Sequence, residues 1–272
     1  MNVKKAGHTG TLDPMASGVL PILIGNTTKL SKYLIEHDKT YIATIKLGEK
    51  RDTGDSEGKV IETQDVNINK MDIENTLNCF LGKQNQIPPI YSAIKINGKK
   101  LYEYARNGEE VTIPEREITI YKINLEKVDK KINEITFEAC CSKGTYIRVL
   151  CEDIAEKLGT VGYMKSLVRT QVSNFNIDES ITLEELEKST ETNSVCQDEP
   201  NLKQKFKLIT MEEIFKNYEK IILNNRKKEL FLNGVQLTFN LKDNIYNIYD
   251  ENNIYIGIGT VTANLLKRDV LI

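Results

Sequence analysis

The residues best suited to chemistry lie in one string, residues 7–21, which reads GHTGTLDPMASGVLP. Its three glycines and two prolines disfavour a helix or a central strand and predict a shaped loop. Pro14 shifts Asp13 from the α region toward an extended backbone. The loop therefore presents one carboxylate, Asp13, in a segment that also holds the imidazole of His8 and three hydroxyls.

The residues alone leave two interpretations of this loop open. Asp-Pro often starts a turn, so Asp13 could simply cap the next element. Alternatively, Asp13 is a catalytic carboxylate. A third alternative, a hydrolase that uses Asp13 and His8, is disfavoured. Such chemistry needs a second carboxylate or a serine elbow, and this sequence offers neither.

A second informative stretch runs over residues 86–116. Aromatic and cationic side chains alternate in it: Tyr91, Lys95, Lys99, Lys100, Tyr102, Tyr104 and Arg106. This composition is typical of a surface that neutralises phosphates and stacks on unpaired bases. A solvated basic loop would look the same, and that alternative stays open.

The elements that must position these residues follow from periodicity. Residues 39–47, rich in β-branched and aromatic residues, predict a strand that carries Tyr41. Residues 118–128 and 132–141 alternate as two further strands, and residues 161–175, with Leu167, continue the pattern. For Tyr41 and Leu167 the residues alone favour ordinary core packing.

A helix is predicted over residues 145–158, and Arg148 lies in its first turn, off the apolar face. A cation there is unfavourable by roughly 0.3–1 kcal/mol. We therefore expect a carboxylate or an RNA phosphate to hold Arg148, unless its side chain simply reaches solvent.

Composition excludes several classes of protein. The 272 residues contain no apolar run long enough to cross a membrane. The five cysteines form no CxxC pair, and neither histidine has metal-ligand spacing from a cysteine, so we expect reduced thiols and no metal site. The net charge is −2, but residues 178–199 alone carry −7, so overall charge neither supports nor excludes RNA binding.

Several motifs together resemble the TruB family of tRNA pseudouridine synthases. Residues 7–21 meet every fixed position of GHTG-x-LDP-x-A-x-G-x-LP, and residues 143–148 match KGTYIR. The pattern PP-x-YSA-x-K-x-x-G, followed by Y-x-x-AR-x-G, resembles the RNA-gripping thumb insertion of the family. The loop at residues 51–58 resembles the DT-x-D-x-x-G loop, to which we assign no chemistry.

The resemblance implies a role for each matching residue. Asp13 is the catalytic residue, and Arg148 pairs with it. His8 lies against the substrate RNA loop, and Tyr41 lies against the target base. Further residues implied to bind the base or the RNA are Tyr146, Leu167, Lys95, Lys99, Lys100 and Arg106.

The resemblance also implies a fold. We expect an α+β protein with a mixed, mainly antiparallel central sheet flanked by helices, and a small β-rich PUA-like C-terminal domain. The catalytic domain would cover residues 1–216, with the thumb at about 86–117 and a mobile acidic segment at about 189–205. The PUA-like module would cover residues 217–272.

The implied reaction is the isomerisation of uridine 55 in the T-loop of tRNA, by a monomeric cytoplasmic enzyme with no cofactor. Asp13 could attack the sugar, attack uracil C6 or remove a 2′ proton, and the sequence leaves these alternatives open. Family members carry a K-P-x-G-x-(T/S)-S segment before GHTG, and this chain begins six residues before Gly7. We therefore expect an N-terminally truncated member, with a non-catalytic tRNA-binding or folding factor as the alternative function.

Overall fold

The chain folds as two compact units in a computed structural model that describes residues 4–35, 37–67, 70–192 and 208–272. The large unit consists of Gly10–Pro21 and Ile35–Ser180. The C-terminal unit consists of Met1–Thr9, Ile22–Leu34 and Ile181–Ile272. The functional boundary expected after residue 216 stays a prediction.

Strands outnumber helices among the described residues. The strands are β1 (Ala6–His8), β2 (Ser17–Gly18), β3 (Ile22–Ile24), β4 (Lys39–Leu47), β5 (Glu49–Arg51), β6 (Val60–Thr63), β7 (Gly82–Gln86), β8 (Lys95–Ile96), β9 (Lys99–Lys100), β10 (Arg116–Asp129), β11 (Glu134–Cys141), β12 (Gly162–Val172), β13 (Phe175–Asn176), β14 (Lys220–Leu223), β15 (Leu237–Thr238), β16 (Asn244–Asp250), β17 (Tyr255–Thr262) and β18 (Leu265–Leu271). The α-helices are α1 (Ser31–Leu34), α2 (Lys70–Asn78), α3 (Leu101–Asn107), α4 (Ile147–Lys157), α5 (Leu183–Thr192), α6 (Met211–Ile214) and α7 (Asn225–Leu232). Two 3-10 turns cover Gly25–Leu30 and Ile177–Glu179.

The large unit is built on a seven-stranded sheet in the order β13-β12-β4-β11-β10-β7, with β2 added beside β12. Every pairing in it is antiparallel except that of β2 with β12. The predicted mixed, mainly antiparallel sheet is therefore confirmed. Smaller hairpins, β5–β6 and β8–β9, belong to the same unit.

The core of the large unit lies between this sheet and helices α2 and α4. Buried and partly exposed side chains alternate along β11, because successive residues of a strand point to opposite faces. The buried members of the sheet include Ala43, Ile45, Phe137 and Ala139. Helix α4 covers them with Ile147, Leu150, Cys151, Ile154 and Ala155, the apolar face that the sequence predicted.

One helix boundary and the start of the acidic segment differ from the predictions. Helix α4 begins at Ile147 and not at residue 145, because Tyr146 keeps an extended backbone (φ −98°, ψ 109°). Helix α5 runs to Thr192, into the first residues of the segment expected to be mobile. The rest of that segment, residues 193–205, lies outside the described residues.

The C-terminal unit contains a five-stranded sheet in the order β14-β16-β17-β18-β15, with α7 packed beside it. Its β-rich character was predicted, but β18 was not, since Lys267, Arg268 and Asp269 interrupt its apolar pattern. A two-stranded ladder in the same unit pairs β1 with β3 and sets His8 opposite Ile22. Over the described part of the chain, no helix is long and apolar enough to cross a membrane.

Replacing Phe137 by alanine tests the position of this core. The ring is fully buried, so Phe137→Ala should lower the free energy of unfolding by about 3–5 kcal/mol, measured by urea denaturation. Tyr121→Ala is the control, because Tyr121 is 54% exposed on the neighbouring strand β10. Equal losses in the two variants would contradict the assignment of the core.

Candidate active site

Asp13 lies in a short turn of the loop that precedes β2. Its backbone carbonyl accepts a hydrogen bond from the Ala16 amide at 2.9 Å, which closes a four-residue turn. Pro14 occupies the second position of this turn, where its fixed φ is favourable. The Asp13 side chain remains 31% exposed, so its carboxylate can meet a ligand from solvent.

Arg148 binds this carboxylate through two parallel hydrogen bonds. Its Nε donates to Asp13 Oδ2 at 3.1 Å, and its Nη2 donates to Asp13 Oδ1 at 3.2 Å. The Arg148 side chain is only 6% exposed, so it does not reach solvent. Bidentate pairing of this kind fixes the orientation of a carboxylate. Of the partners expected for Arg148, the structure supplies the neighbouring carboxylate.

The other N–H groups of Arg148 are also used. Nη1 donates to the Thr53 carbonyl at 3.1 Å, and Nη2 donates to the Tyr91 carbonyl at 3.0 Å. A second carboxylate, that of Asp55, lies 3.6 Å from Nη1. The guanidinium is therefore held by three segments besides its own helix, and its rotation would break several bonds at once.

Asp55 belongs to the loop at residues 51–58, for which the sequence predicts no chemical role. It is buried, and its Oδ1 accepts hydrogen bonds from the Thr53 hydroxyl at 2.7 Å and the Glu57 amide at 3.1 Å. A single bridge to Met164 anchors the residue beside β12. The family-like pattern of the loop was the available signal, but burial next to Arg148 depends on the tertiary fold.

Tyr41 and Leu167 lie on the two neighbouring strands β4 and β12. Tyr41 pairs with Arg169 in the ladder, and Leu167 pairs with Ala43. Both side chains are buried and belong to the core cluster of the large unit. Burial raises the pKa of Tyr41 to about 12, an effect that the neighbouring Cys141 and Asp13 reinforce and that Arg169 opposes. The Tyr41 phenol is therefore neutral at pH 7.

Tyr146 precedes helix α4 and is held through its backbone. Its amide donates to Gln86 Oε1 at 2.8 Å, and its carbonyl accepts from Gln86 Nε2 at 3.1 Å. Both groups of one buried glutamine thus fix the start of the helix that carries Arg148. His8 belongs to the C-terminal unit and is exposed there on β1.

The expected thumb forms the hairpin β8–β9 followed directly by α3. Three of its cations are stacked on its own tyrosines. Lys99 Nζ lies 4.5 Å from the Tyr104 ring centre, and Lys100 Nζ lies 5.2 Å from that of Tyr102. Arg106 also stacks on Tyr102, at 5.3 Å. Lys99 is in addition paired with a carboxylate that follows the helix, that of Glu109, at 2.6 Å. This pairing reduces the positive charge that the sequence pattern predicts for the thumb.

Solved structures define the class of this fold. The chain matches a chain of the crystal structure of a Cbf5–Nop10–Gar1 complex at a TM-score of 0.67. The sequence identity is 21%, and the match covers 100% of this chain and 76% of the other chain. It matches a chain of the archaeal box H/ACA sRNP Nop10–Cbf5 complex at a TM-score of 0.68. The sequence identity is 20%, and the match covers 100% of this chain and 78% of the other chain. The expected pseudouridine synthase fold is confirmed by this likeness.

Sequence comparisons then give the family. Residues 1–147 match the N-terminal domain of TruB family pseudouridylate synthases, and residues 148–220 match the C-terminal domain of tRNA pseudouridylate synthase B. The tRNA pseudouridine synthase B of Caldanaerobacter subterraneus is 41% identical over 97% of this chain and 88% of its own length. That of Clostridium kluyveri is 41% identical over 94% of this chain and 86% of its own length. The chain belongs to the TruB family of pseudouridylate synthases.

Replacing Asp55 by asparagine tests whether its charge supports Arg148. The variant keeps the shape but leaves the buried guanidinium with one carboxylate fewer, so the free energy of unfolding should fall by about 1–3 kcal/mol in urea denaturation. Asp52→Asn is the matched control, since Asp52 is an exposed acid of the same loop whose Oδ1 accepts from the Lys59 amide. If both variants lose the same stability, Asp55 does not support Arg148 through its charge.

Proposed function

We propose that this protein converts uridine 55 in the T-loop of tRNA to pseudouridine, with Asp13 as the catalytic residue. The observation that carries the proposal is the bidentate pairing of Asp13 with Arg148 within two motifs of the TruB family. The names of the relatives, tRNA pseudouridine synthase B, support tRNA as the substrate.

The reaction is an isomerisation and needs little besides a positioned carboxylate. The N1–C1′ bond breaks, the uracil rotates, and a C5–C1′ bond forms. The hydrogen of C5 is lost to solvent while N1 gains a proton, so the product has the composition of the substrate. The base must first leave its stack, at a cost of a few kcal/mol that is smallest in a loop.

Asp13 has the properties that such a reaction requires. The paired guanidinium holds the carboxylate in one orientation through two hydrogen bonds. The partly exposed carboxylate remains accessible to the ribose and the base. Tyr41, a neutral phenol on strand β4, would face the base and could take part in later proton transfer.

The remaining residues would bind RNA. Tyr146 and Leu167 would border the base, His8 would contact the RNA loop, and the thumb cations would contact phosphates. The proposal includes a monomeric enzyme, because one copy of the chain holds the whole Asp13–Arg148 pair. It also places the protein in the cytoplasm together with its substrate.

Replacing Asp13 by alanine tests the catalytic assignment. Turnover is measured as tritium released from tRNA labelled at C5 of uridine, since that hydrogen leaves when the C5–C1′ bond forms. Asp13→Ala should abolish release, because the neighbouring carboxylate of Asp55 is buried and bonded within its own loop and cannot replace it. The tRNA dissociation constant should change less than about threefold, because phosphate contacts supply most of the affinity.

Asp52→Ala serves as the control, because it removes an exposed acid of the same unit and should release tritium at the wild-type rate. Equal turnover in the Asp13→Ala variant would exclude Asp13 as the catalytic residue. A wild-type protein that binds tRNA without releasing tritium would instead support the alternative of a tRNA-binding or folding factor.

The thumb is tested by the salt dependence of tRNA affinity. Replacing Lys95, Lys99 and Lys100 together by alanine should reduce the slope of log K against log salt by roughly one to two, since each phosphate contact contributes about 0.7–0.9. The expected change in slope is smaller than the loss of three full phosphate contacts would give, because Glu109 already neutralises Lys99.

The matched control replaces three exposed lysines near the turn between β10 and β11: Lys127, Lys130 and Lys131. This control has the same change in net charge but should leave the slope closer to wild type. An equal change in the two triple variants would show that net charge, and not the thumb, determines the salt dependence.

A further inference from the structure

Arg169 is a buried guanidinium of strand β12 that the catalytic proposal does not use. The residue is only 2% exposed and is among the largest fully buried side chains of the described chain. Among the described residues, no carboxylate lies within ion-pairing distance of it. A buried charge without a carboxylate is costly unless its N–H groups are bonded, so its partners show what it holds in place.

The partners of the Arg169 side chain lie at the two ends of the loop that carries Asp13. Its Nε donates to the Val19 carbonyl at 2.7 Å, and its Nη2 donates to the Gly10 carbonyl at 3.1 Å. One planar side chain therefore joins two backbone positions nine residues apart. The catalytic carboxylate lies on the segment between them.

The backbone of Arg169 holds the same loop. Gly18 pairs with Arg169 in the parallel ladder of β2 and β12, and the Val19 amide donates to the Arg169 carbonyl at 2.8 Å. Gly18 has φ +111°, and a Cβ added there would lie 2.2 Å from the Arg169 carbonyl oxygen. Only glycine allows the loop to approach the strand this closely.

Arg169 is also next to the proposed base-facing residue. It pairs with Tyr41 in the antiparallel ladder of β12 and β4. The positive charge and hydrogen bonding of Arg169 act to lower the pKa of Tyr41, against the larger effect of burial. The same side chain thus contacts the loop that carries the carboxylate and the strand that carries the ring.

We infer that Arg169 is a positioning residue that fixes the Asp13 loop against the Tyr41 strand by bonding the carbonyl groups of Gly10 and Val19. The inference rests on the proposed function. A guanidinium can serve both carbonyls at once because its donors form a rigid fork, whereas the single ammonium of lysine cannot keep this geometry. A loop displaced by about 1 Å could slow the reaction by roughly a hundredfold without changing how RNA binds.

The experiment compares Arg169→Met and Arg169→Lys with the wild type in single-turnover tritium release, and measures tRNA dissociation constants in parallel. Methionine keeps the apolar stem but donates no hydrogen bond, so its rate constant should fall by roughly a hundredfold. Lysine should give an intermediate loss. Both dissociation constants should stay within about threefold of wild type. Amide hydrogen exchange over residues 10–21 should be faster in the methionine variant.

The matched control is Asn247→Leu in the C-terminal unit. Asn247 is 1% exposed, and its Nδ2 donates to the carbonyls of Phe215 at 2.7 Å and Tyr218 at 3.0 Å, so this variant also removes a buried side chain that holds two backbone carbonyls. It should lower the thermal midpoint but leave the rate constant and the exchange of residues 10–21 unchanged.

Three results would overturn the inference: a wild-type rate in Arg169→Met, equal losses of rate and affinity in both Arg169 variants, or unchanged amide exchange over residues 10–21. An inactive wild-type protein would instead contradict the proposed function. The exchange measurement would still test the position of the loop in that case, because it needs no turnover.

Discussion

The candidate site depends on the guanidinium of Arg148, which is almost fully buried and bonded on every side. It binds Asp13 with two hydrogen bonds and also contacts the Thr53 carbonyl, the Tyr91 carbonyl and Asp55. Removing a partner from a buried charge is far more costly than losing a surface ion pair. These segments are therefore constrained to meet at one point, and the Asp13 carboxylate has one favoured orientation.

The rest of the large unit supplies a rigid support for that meeting point. Strands β4 and β12 pair along nearly their whole lengths, and α4 packs on them with a continuous apolar face. Irregular loops carry Asp13 and Asp55, whereas Arg148, Tyr41 and Arg169 project from helix or strand. A packed scaffold holds such loops in fixed positions, so that their polar side chains can meet at one site.

Two buried arginines have different tasks in this arrangement. Arg148 binds carboxylates and so orients the Asp13 side chain, whereas Arg169 binds carbonyls and so holds the path of the backbone. Asp55 complements Arg148 with a second carboxylate, whose Oδ1 is bonded within its own loop and whose Oδ2 faces the guanidinium. The cluster satisfies its polar groups internally, which is the condition for burying them at all.

The sequence by itself determined the strand over residues 39–47, the apolar face of α4 and the loop around Asp13, because periodicity and Gly/Pro placement are local properties. The pairing of Arg148 with Asp13 was expected only through family resemblance, since 135 positions separate the two residues. The tertiary structure alone decided that Asp55 is buried, that Glu109 neutralises Lys99 and that Arg169 joins both ends of the loop. The positions of Asp55 and Arg169 depend on how distant segments pack, and the Lys99–Glu109 pair depends on how the chain folds back after α3. No local pattern of residues encodes either.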